Sequence, residues 1–205
     1  MGWELPEFAH LPLIHGPGGA KLSKRHGTQS VVEFRDMGYL PEALCNYLLR
    51  LGWGHGDAEI LSREEQIKLF DLDGVGRAPS RMDYAKLLHI NAVWMRQADD
   101  ERLTDDVLER LKAVDGVQVN DTTRTRLLAL MPGLKERART LVELTENAQF
   151  LGRQVPLPFT EKAKKLLTPE ALQILDGISR DLAAAPDFTA ETIDSTLRQF
   201  AEREG

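Results

Sequence analysis

The sequence predicts a mainly α protein: a short extended N-terminal segment, a glycine-rich basic loop, and then helices to the end. Two observations predict it. Beyond residue 28, apolar residues recur at intervals of three and four behind recognisable helix-start residues, and no run there alternates convincingly with period two. The 205 residues suffice for one large or two small domains, and 42% apolar with 28% charged residues is ordinary for a globular chain.

Residues 1–15 read as an extended entry, with Leu11, Leu13 and Ile14 spaced around Pro12. His10 and His15 lie across that proline rather than on one helical face, and no third ligand is near, so no metal is expected. The stretch 16–27 is a loop, because Gly16, Gly18, Gly19, Gly27 and Pro17 all resist regular structure. It carries Lys21, Lys24 and Arg25 with a hydroxyl at Ser23. Clustered cations on a mobile backbone suit a polyphosphate, and they equally suit a solvated basic loop. A nucleotide P-loop is excluded, since Lys21 follows alanine and no Gly-Lys-Ser/Thr occurs.

Thr28 or Ser30 caps a short helix ending at Met37 before Gly38. Pro41 opens a second helix, with Leu40, Leu44, Tyr47, Leu48 and Leu51 at helical spacing and Gly52 as its stop. Cys45 on that helix is expected to be buried. Ser62 and Glu65 form a capping box ahead of Ile67, Leu69 and Phe70. The run Asp71-Leu72-Asp73-Gly74-Val75-Gly76 opens like a calcium loop, but Val75 and Met82 stand where oxygen ligands are required. Ser80 begins a helix to about Gln97 whose apolar face is Leu87, Leu88, Ile90, Val93 and Trp94. Thr104 caps the next, with Leu103, Val107, Leu108 and Leu111 inward. Helices over 122–131 and 134–149 are separated by Pro132-Gly133, and the second places Lys135 and Arg139 on one flank. After the extended break Val155–Phe159, Thr160, Thr168 and Thr189 start helices near 161–167, 169–185 and 190–203.

Net charge is −6, which argues against a surface coated in basic charge for nucleic acid. Acids outnumber bases between Asp99 and Asp115, and the balance reverses from Asp121 to Arg153. A shape-specific RNA binder can be acidic overall if one face is basic. No apolar run approaches the roughly 20 residues a membrane helix needs. The single Cys45 precludes an internal disulfide, so a cytoplasmic protein without membrane contact is expected.

Lys21-Leu22-Ser23-Lys24-Arg25 resembles the second signature of the class I aminoacyl-tRNA synthetases, in the form the bacterial-type glutamyl-tRNA synthetases carry, followed by His26-Gly27. Phe8-Ala9-His10-Leu11-Pro12-Leu13-Ile14 is similar to the strand that delivers that loop. Leu51-Gly52-Trp53-Gly54 with Asp57, Ala78-Pro79-Ser80-Arg81-Met82-Asp83 with Lys86-Leu87, and Glu136-Arg137-Ala138-Arg139-Thr140-Leu141 with Glu143-Leu144 also resemble family segments, in order. One departure is His89, where the family usually has tryptophan. Another is the absence of the His-x-Gly-His signature and of the amino-acid pocket.

The resemblance implies a C-terminal piece of such an enzyme, inactive alone. Residues 1–27 would end the catalytic domain, 28–98 would form a helical stem-contact region, and 99–205 would form an α-helical anticodon-binding cage truncated at its C-terminus. Lys21, Ser23, Lys24 and Arg25 become catalytic-loop residues, with Lys24 the ATP contact. ATP with Mg2+ serves the intact enzyme and none is expected on this chain, which meets ATP and glutamate only through the missing catalytic domain. The partner is tRNA, and a monomer is expected. Arginine suits unstacked anticodon bases because its planar fork stacks and donates two hydrogen bonds, which selects Arg137 and Arg139. Trp53 and Trp94 are read as core. The alternative is a stand-alone helical tRNA-binding or protein-interaction module with a vestigial loop.

Overall fold

The computed structural model describes residues 3–6, 8, 10–22 and 30–204. The chain divides into two compact units, Met1–Val155 and Pro156–Gly205. Both are helical, as expected.

In the first unit, α1 (Val31–Asp36) starts at Ser30, whose hydroxyl accepts from the Glu33 N–H at 3.2 Å while the Glu33 carboxylate accepts from the Ser30 N–H. It ends before Gly38, whose φ of +84° is a conformation that side chains resist. Helix α2 (Pro41–Arg50) has proline in its first turn and buries Ala43, Leu44 and Tyr47. Helix α3 (Arg63–Leu69) starts at the expected Ser62–Glu65 box. Its inward residue, however, is Gln66, whose amide donates to Leu61 O at 2.8 Å, while Ile67 and Phe70 are exposed.

Four further expectations are corrected. Ser80 does not start a helix. Ser80–Arg81 form β2, which pairs in parallel with β1 (Ile14–His15), Ile14 opposite Ser80 and His15 opposite Arg81. Strands of two residues are too short to leave a period-two pattern. Helix α4 (Tyr84–Gln97) is capped instead by Asp83, which accepts from the Lys86 N–H at 3.0 Å. Thr104 lies inside α5 (Asp100–Leu111), where its buried hydroxyl donates to Asp100 O; Asp99 is the cap.

Pro132 does not break the chain, because α6 runs from Asp121 to Lys135 and α7 covers only Leu141–Ala148, capped by Thr140. An interior proline costs about 3 kcal/mol. Leu127 and Met131, both 0% exposed, each contribute about 1.5–3 kcal/mol by burial, and the partly buried Leu134 adds to them. Together these outweigh the proline, which with Gly133 faces solvent. Finally, Cys45 is exposed. Its neighbour Asn46 is the fully buried residue, accepting from the Leu61 N–H and the Trp94 indole and donating to Glu59 O.

One core joins these helices, centred on Leu87, Ile90 and Met95 of α4, Leu103, Val107 and Leu111 of α5, Leu127 and Met131 of α6, and Leu144 of α7. Trp53 is core as expected, 4% exposed with its indole donating to Asp71 O, whereas Trp94 is only partly buried. Inside the core lies Asn91, 0% exposed, accepting from the Leu40 N–H at 2.8 Å and donating to Arg139 O at 2.6 Å.

The second unit holds α8 (Glu161–Leu166), α9 (Pro169–Ala183) and α10 (Ala190–Glu204), with Thr160 and Thr168 as caps and Thr189 accepting from the Thr192 N–H. Phe200 packs where Gly177 leaves room; a Cβ there would stand 2.8 Å from its ring.

Asn91→Leu strands the buried Leu40 N–H and the Arg139 carbonyl, and should cost about 3 kcal/mol. Urea unfolding followed by tryptophan emission checks this for the first unit, which holds Trp3, Trp53 and Trp94.

Candidate nucleic-acid interface

The signature stretch hangs from a tight turn. Gly16 N donates to Ala20 O at 2.8 Å, Gly19 N to Gly16 O at 2.9 Å, and Gly19 has a φ of +79°. The chain then returns along β1: His15 bridges Lys21 in antiparallel sense, and Leu22 N donates to Ile14 O at 3.1 Å. Of the four signature residues singled out in the sequence, Lys21 sits at this bridge, exposed. Ser23, Lys24 and Arg25 lie outside the described residues, and so does the expectation that their loop is mobile.

Three segments therefore run side by side, β2, β1 and the return through Lys21–Leu22. Alternation of side chains along extended backbone splits them into two faces. Ile14, Leu22 and Met82 line an apolar cavity of about 130 Å3 with Phe34 and Leu44. The other face carries His15, Lys21 and Arg81, of which Lys21 and Arg81 are exposed.

Helix α1 follows the signature and is fastened at its far end. Arg110 donates to Arg35 O at 2.7 Å and Asp36 O at 3.3 Å, closing the last turn of α1 from α5. Gly38 then meets the start of α7. Leu141 N donates to Gly38 O at 2.9 Å, and a Cβ at Gly38 would stand 2.6 Å from Val142 N. Arg102 of α5 adds a two-pronged bond to Glu42 of α2, at 2.6 and 3.1 Å.

The anticodon candidates Arg137 and Arg139 occupy the link between α6 and α7, not one helix. The structure does not bring Lys135 and Arg139 to a common flank. Lys135 turns inward to Asp100 at 2.6 Å and Ala98 O at 2.8 Å. Arg139 is held by Glu143 through a 2.7 Å ion pair and a 2.9 Å bond from its own N–H. The bond from the Arg139 guanidinium holds the Glu143 carboxyl below its ordinary range, against partial burial. Arg137 is exposed, and among the described residues its side chain has no ion pair. It borders an open cleft of about 620 Å3 with Leu130, Leu134, Asn147 and the half-exposed Phe150. The sequence allows Glu143 to hold Arg137, whereas the structure pairs it with Arg139; the i,i+4 spacing of Arg139 and Glu143 is the signal that separates the two arginines.

Residues 1–89 match the family model for the catalytic domain of class I tRNA synthetases of the glutamate and glutamine type, and residues 101–205 match the anticodon binding domain. The chain belongs to the class I glutamyl-tRNA synthetase family. Glutamate–tRNA ligase 1 of Gluconobacter oxydans is 71% identical over 203 residues, which are 99% of this chain and 43% of the relative. The Acidiphilium cryptum glutamate–tRNA ligase 1 is 62% identical over 204 residues, 100% of this chain and 44% of the relative. A crystal structure of a glutamate tRNA ligase from Elizabethkingia meningosepticum, in complex with its amino acid, matches at a TM-score of 0.78 and 32% identity over 100% of this chain and 44% of that one. The chain thus spans less than half the length of these synthetase relatives.

Because the Glu143 carboxyl titrates below its unfolded range, the Arg139–Glu143 clamp contributes stability above that range. The contribution is lost as pH falls through the lower, folded value. Glu143→Gln should flatten that part of the acid branch, read as the change of Tm with pH below about pH 5.

Proposed function

We propose that this chain is the signature-loop and tRNA-binding part of a glutamate–tRNA ligase, which uses ATP to attach glutamate to tRNA. The observation that carries the reading is the order of parts in one chain: the basic signature loop first, then a segment similar to anticodon-binding domains. In this proposal residues 1–27 close the catalytic domain, 28–98 contact the tRNA stem and 99–205 take the anticodon. The protein acts in the cytoplasm as a monomer, and no helix among the described residues is long and apolar enough to cross a membrane.

In the proposed reaction a glutamate carboxylate oxygen attacks the α-phosphorus of ATP, forming glutamyl-adenylate as the bond to pyrophosphate breaks. The terminal ribose hydroxyl of tRNA then attacks the glutamyl carbonyl, and AMP leaves with the acyl bond transferred. Negative charge grows on the departing pyrophosphate. A lysine that reaches it only in the transition state raises rate rather than ground-state binding. Lys24 has that role here, with Lys21 and Arg25 adding field and Ser23 a hydroxyl donor. Magnesium accompanies ATP in such chemistry. Among the described residues no group of three or more His, Cys, Asp or Glu side chains is placed to hold a metal ion. The described residues thus make no magnesium seat, and the steps above are argued from the chain's cations.

For the anticodon, Arg137 beside Phe150 and Asn147 offers an unengaged guanidinium, an aromatic edge and an amide. Arg139 reaches a base only by leaving Glu143.

In the ligase containing this chain, Lys24→Ala should slow ATP–pyrophosphate exchange by about 10²–10³, or about 2.7–4 kcal/mol of barrier; unchanged exchange would remove the catalytic assignment. Affinity of the chain for glutamate tRNA should fall steeply with salt. Arg137→Ala should weaken it by about 1–3 kcal/mol and more than Arg139→Ala does. Equal affinities for the two variants and the parent chain would exclude both arginines.

A further inference from the structure

In the row formed by Lys21, His15 and Arg81 only Lys21 belongs to the signature chemistry, which leaves His15 and Arg81 without a role; Arg81 lies sixty residues past Lys21 in sequence. The pairing nevertheless makes them neighbours. Arg81 stands opposite His15 on one side and Lys21 opposite it on the other. Directly paired residues on adjacent extended segments point to the same face with roughly 4.8 Å between segments. The apolar set Ile14, Leu22 and Met82 occupies the opposite face, which fixes the row outward. The Arg81 guanidinium also reaches the signature turn itself: its Nη2 is 3.5 Å from where a Cβ on Gly19 would stand.

Like charges directly across a sheet repel. Some arginines of the first unit are neutralised, Arg102 by Glu42, Arg124 by Asp105 and Arg139 by Glu143, while Arg137, like Arg81, is not. Among the described residues no ion pair joins Lys21 or Arg81 to a carboxylate. Two uncompensated cations flanking an imidazole on a rigid, hydrogen-bonded base suit an anion with several oxygens.

We infer that Arg81, with His15 and Lys21, forms a phosphate seat at the base of the signature loop. The forked guanidinium of Arg81 grips two oxygens of one phosphate group. The seat rests on the reading above only for who brings the phosphate, the nucleotide or the tRNA backbone. Its position explains why a segment of the helical region should be stitched to β1 at all: Ser80 N donates to Leu13 O at 3.2 Å and Met82 N to His15 O at 2.8 Å, which sets the guanidinium against the turn.

The test titrates the full chain with inorganic pyrophosphate and follows the backbone amides of His15, Lys21 and Arg81 by NMR. Saturable shifts confined to this row are expected. Arg81→Ala should weaken them about tenfold or more, Arg81→Lys should restore part of the affinity, and Arg180→Ala in the second unit should change nothing. Hydrogen exchange at the Ser80 and Met82 amides reports whether the pairing survives. If Arg81→Ala loosens it, Arg81→Gln, which keeps the stem without the charge, decides instead. A second arm measures tRNA affinity against salt. A slope reduced by about one in Arg81→Ala assigns the seat to a tRNA phosphate. An unchanged slope with weakened pyrophosphate binding assigns it to the nucleotide. Unchanged pyrophosphate binding together with an unchanged slope, the pairing intact, overturns the proposal. The ligation reading fails on a different observation, pyrophosphate exchange in Lys24→Ala, so the two are told apart.

Discussion

A buried N–H or C=O must find a partner, and in the first unit two asparagine side chains supply partners to loop backbone that no strand or helix can reach. Asn91 joins the Leu40 N–H before α2 to the Arg139 carbonyl before α7. Asn46 takes the Leu61 N–H and the Trp94 indole while giving its own amide to Glu59 O. Both are 0% exposed. The helices could slide against one another if leucine packing alone held them, since hydrophobic attraction is non-directional. An amide with a donor at one end and an acceptor at the other fixes register, and it does so where α2, α4 and the α6–α7 link converge.

That constraint reaches the proposed tRNA surface. The Arg139 carbonyl is tied down by Asn91, its N–H by Glu143 and its guanidinium by Glu143 again. Leu141 N is closed on Gly38 O, at a contact too near for any residue with a Cβ. The backbone that presents Arg137 is therefore fixed from α4, from α7 and from the turn after α1, while the Arg137 side chain stays unengaged. A fixed backbone with one unengaged guanidinium suits recognition, because less entropy is lost when the partner arrives.

Much of this was legible in the sequence where a single local rule decides the outcome. The cap at Ser30, offered beside Thr28, the capping box at Ser62, Pro41 in a first turn, Gly38 as a stop and the threonine starts at 160 and 168 all depend on contacts within four residues. The errors fall where tertiary packing outweighs the local rule. Pro132 stays helical because Leu127 and Met131 are carried inward. Ile67 and Phe70 face out because Gln66 turns inward to donate its amide to Leu61 O. Cys45 is displaced to the surface by an asparagine that, by composition alone, would be placed outside. The two-residue strands carry no periodicity whatever; their pairing follows from where distant segments meet, which one chain's pattern does not encode.

The same short pairing changes what the signature loop is. Read as sequence, it is a flexible stretch between a strand and a helix, with its cations free to follow charge. In the structure its near end is a rigid object: a glycine turn closed by two hydrogen bonds, flanked by β1, which is itself flanked by β2. One face of that object is apolar and rests over Phe34 of α1, the helix into which the loop runs. The opposite face is cationic. A phosphate drawn to the cationic face would bear on the segment whose other side lines a cavity with Phe34, so the start of the loop lies across that cavity from the helix after it. Helix α1 is in turn fastened at Gly38 and Arg110 to α7 and α5. The start of α7 adjoins the link that carries Arg137, so α1 stands between the base of the loop and that link.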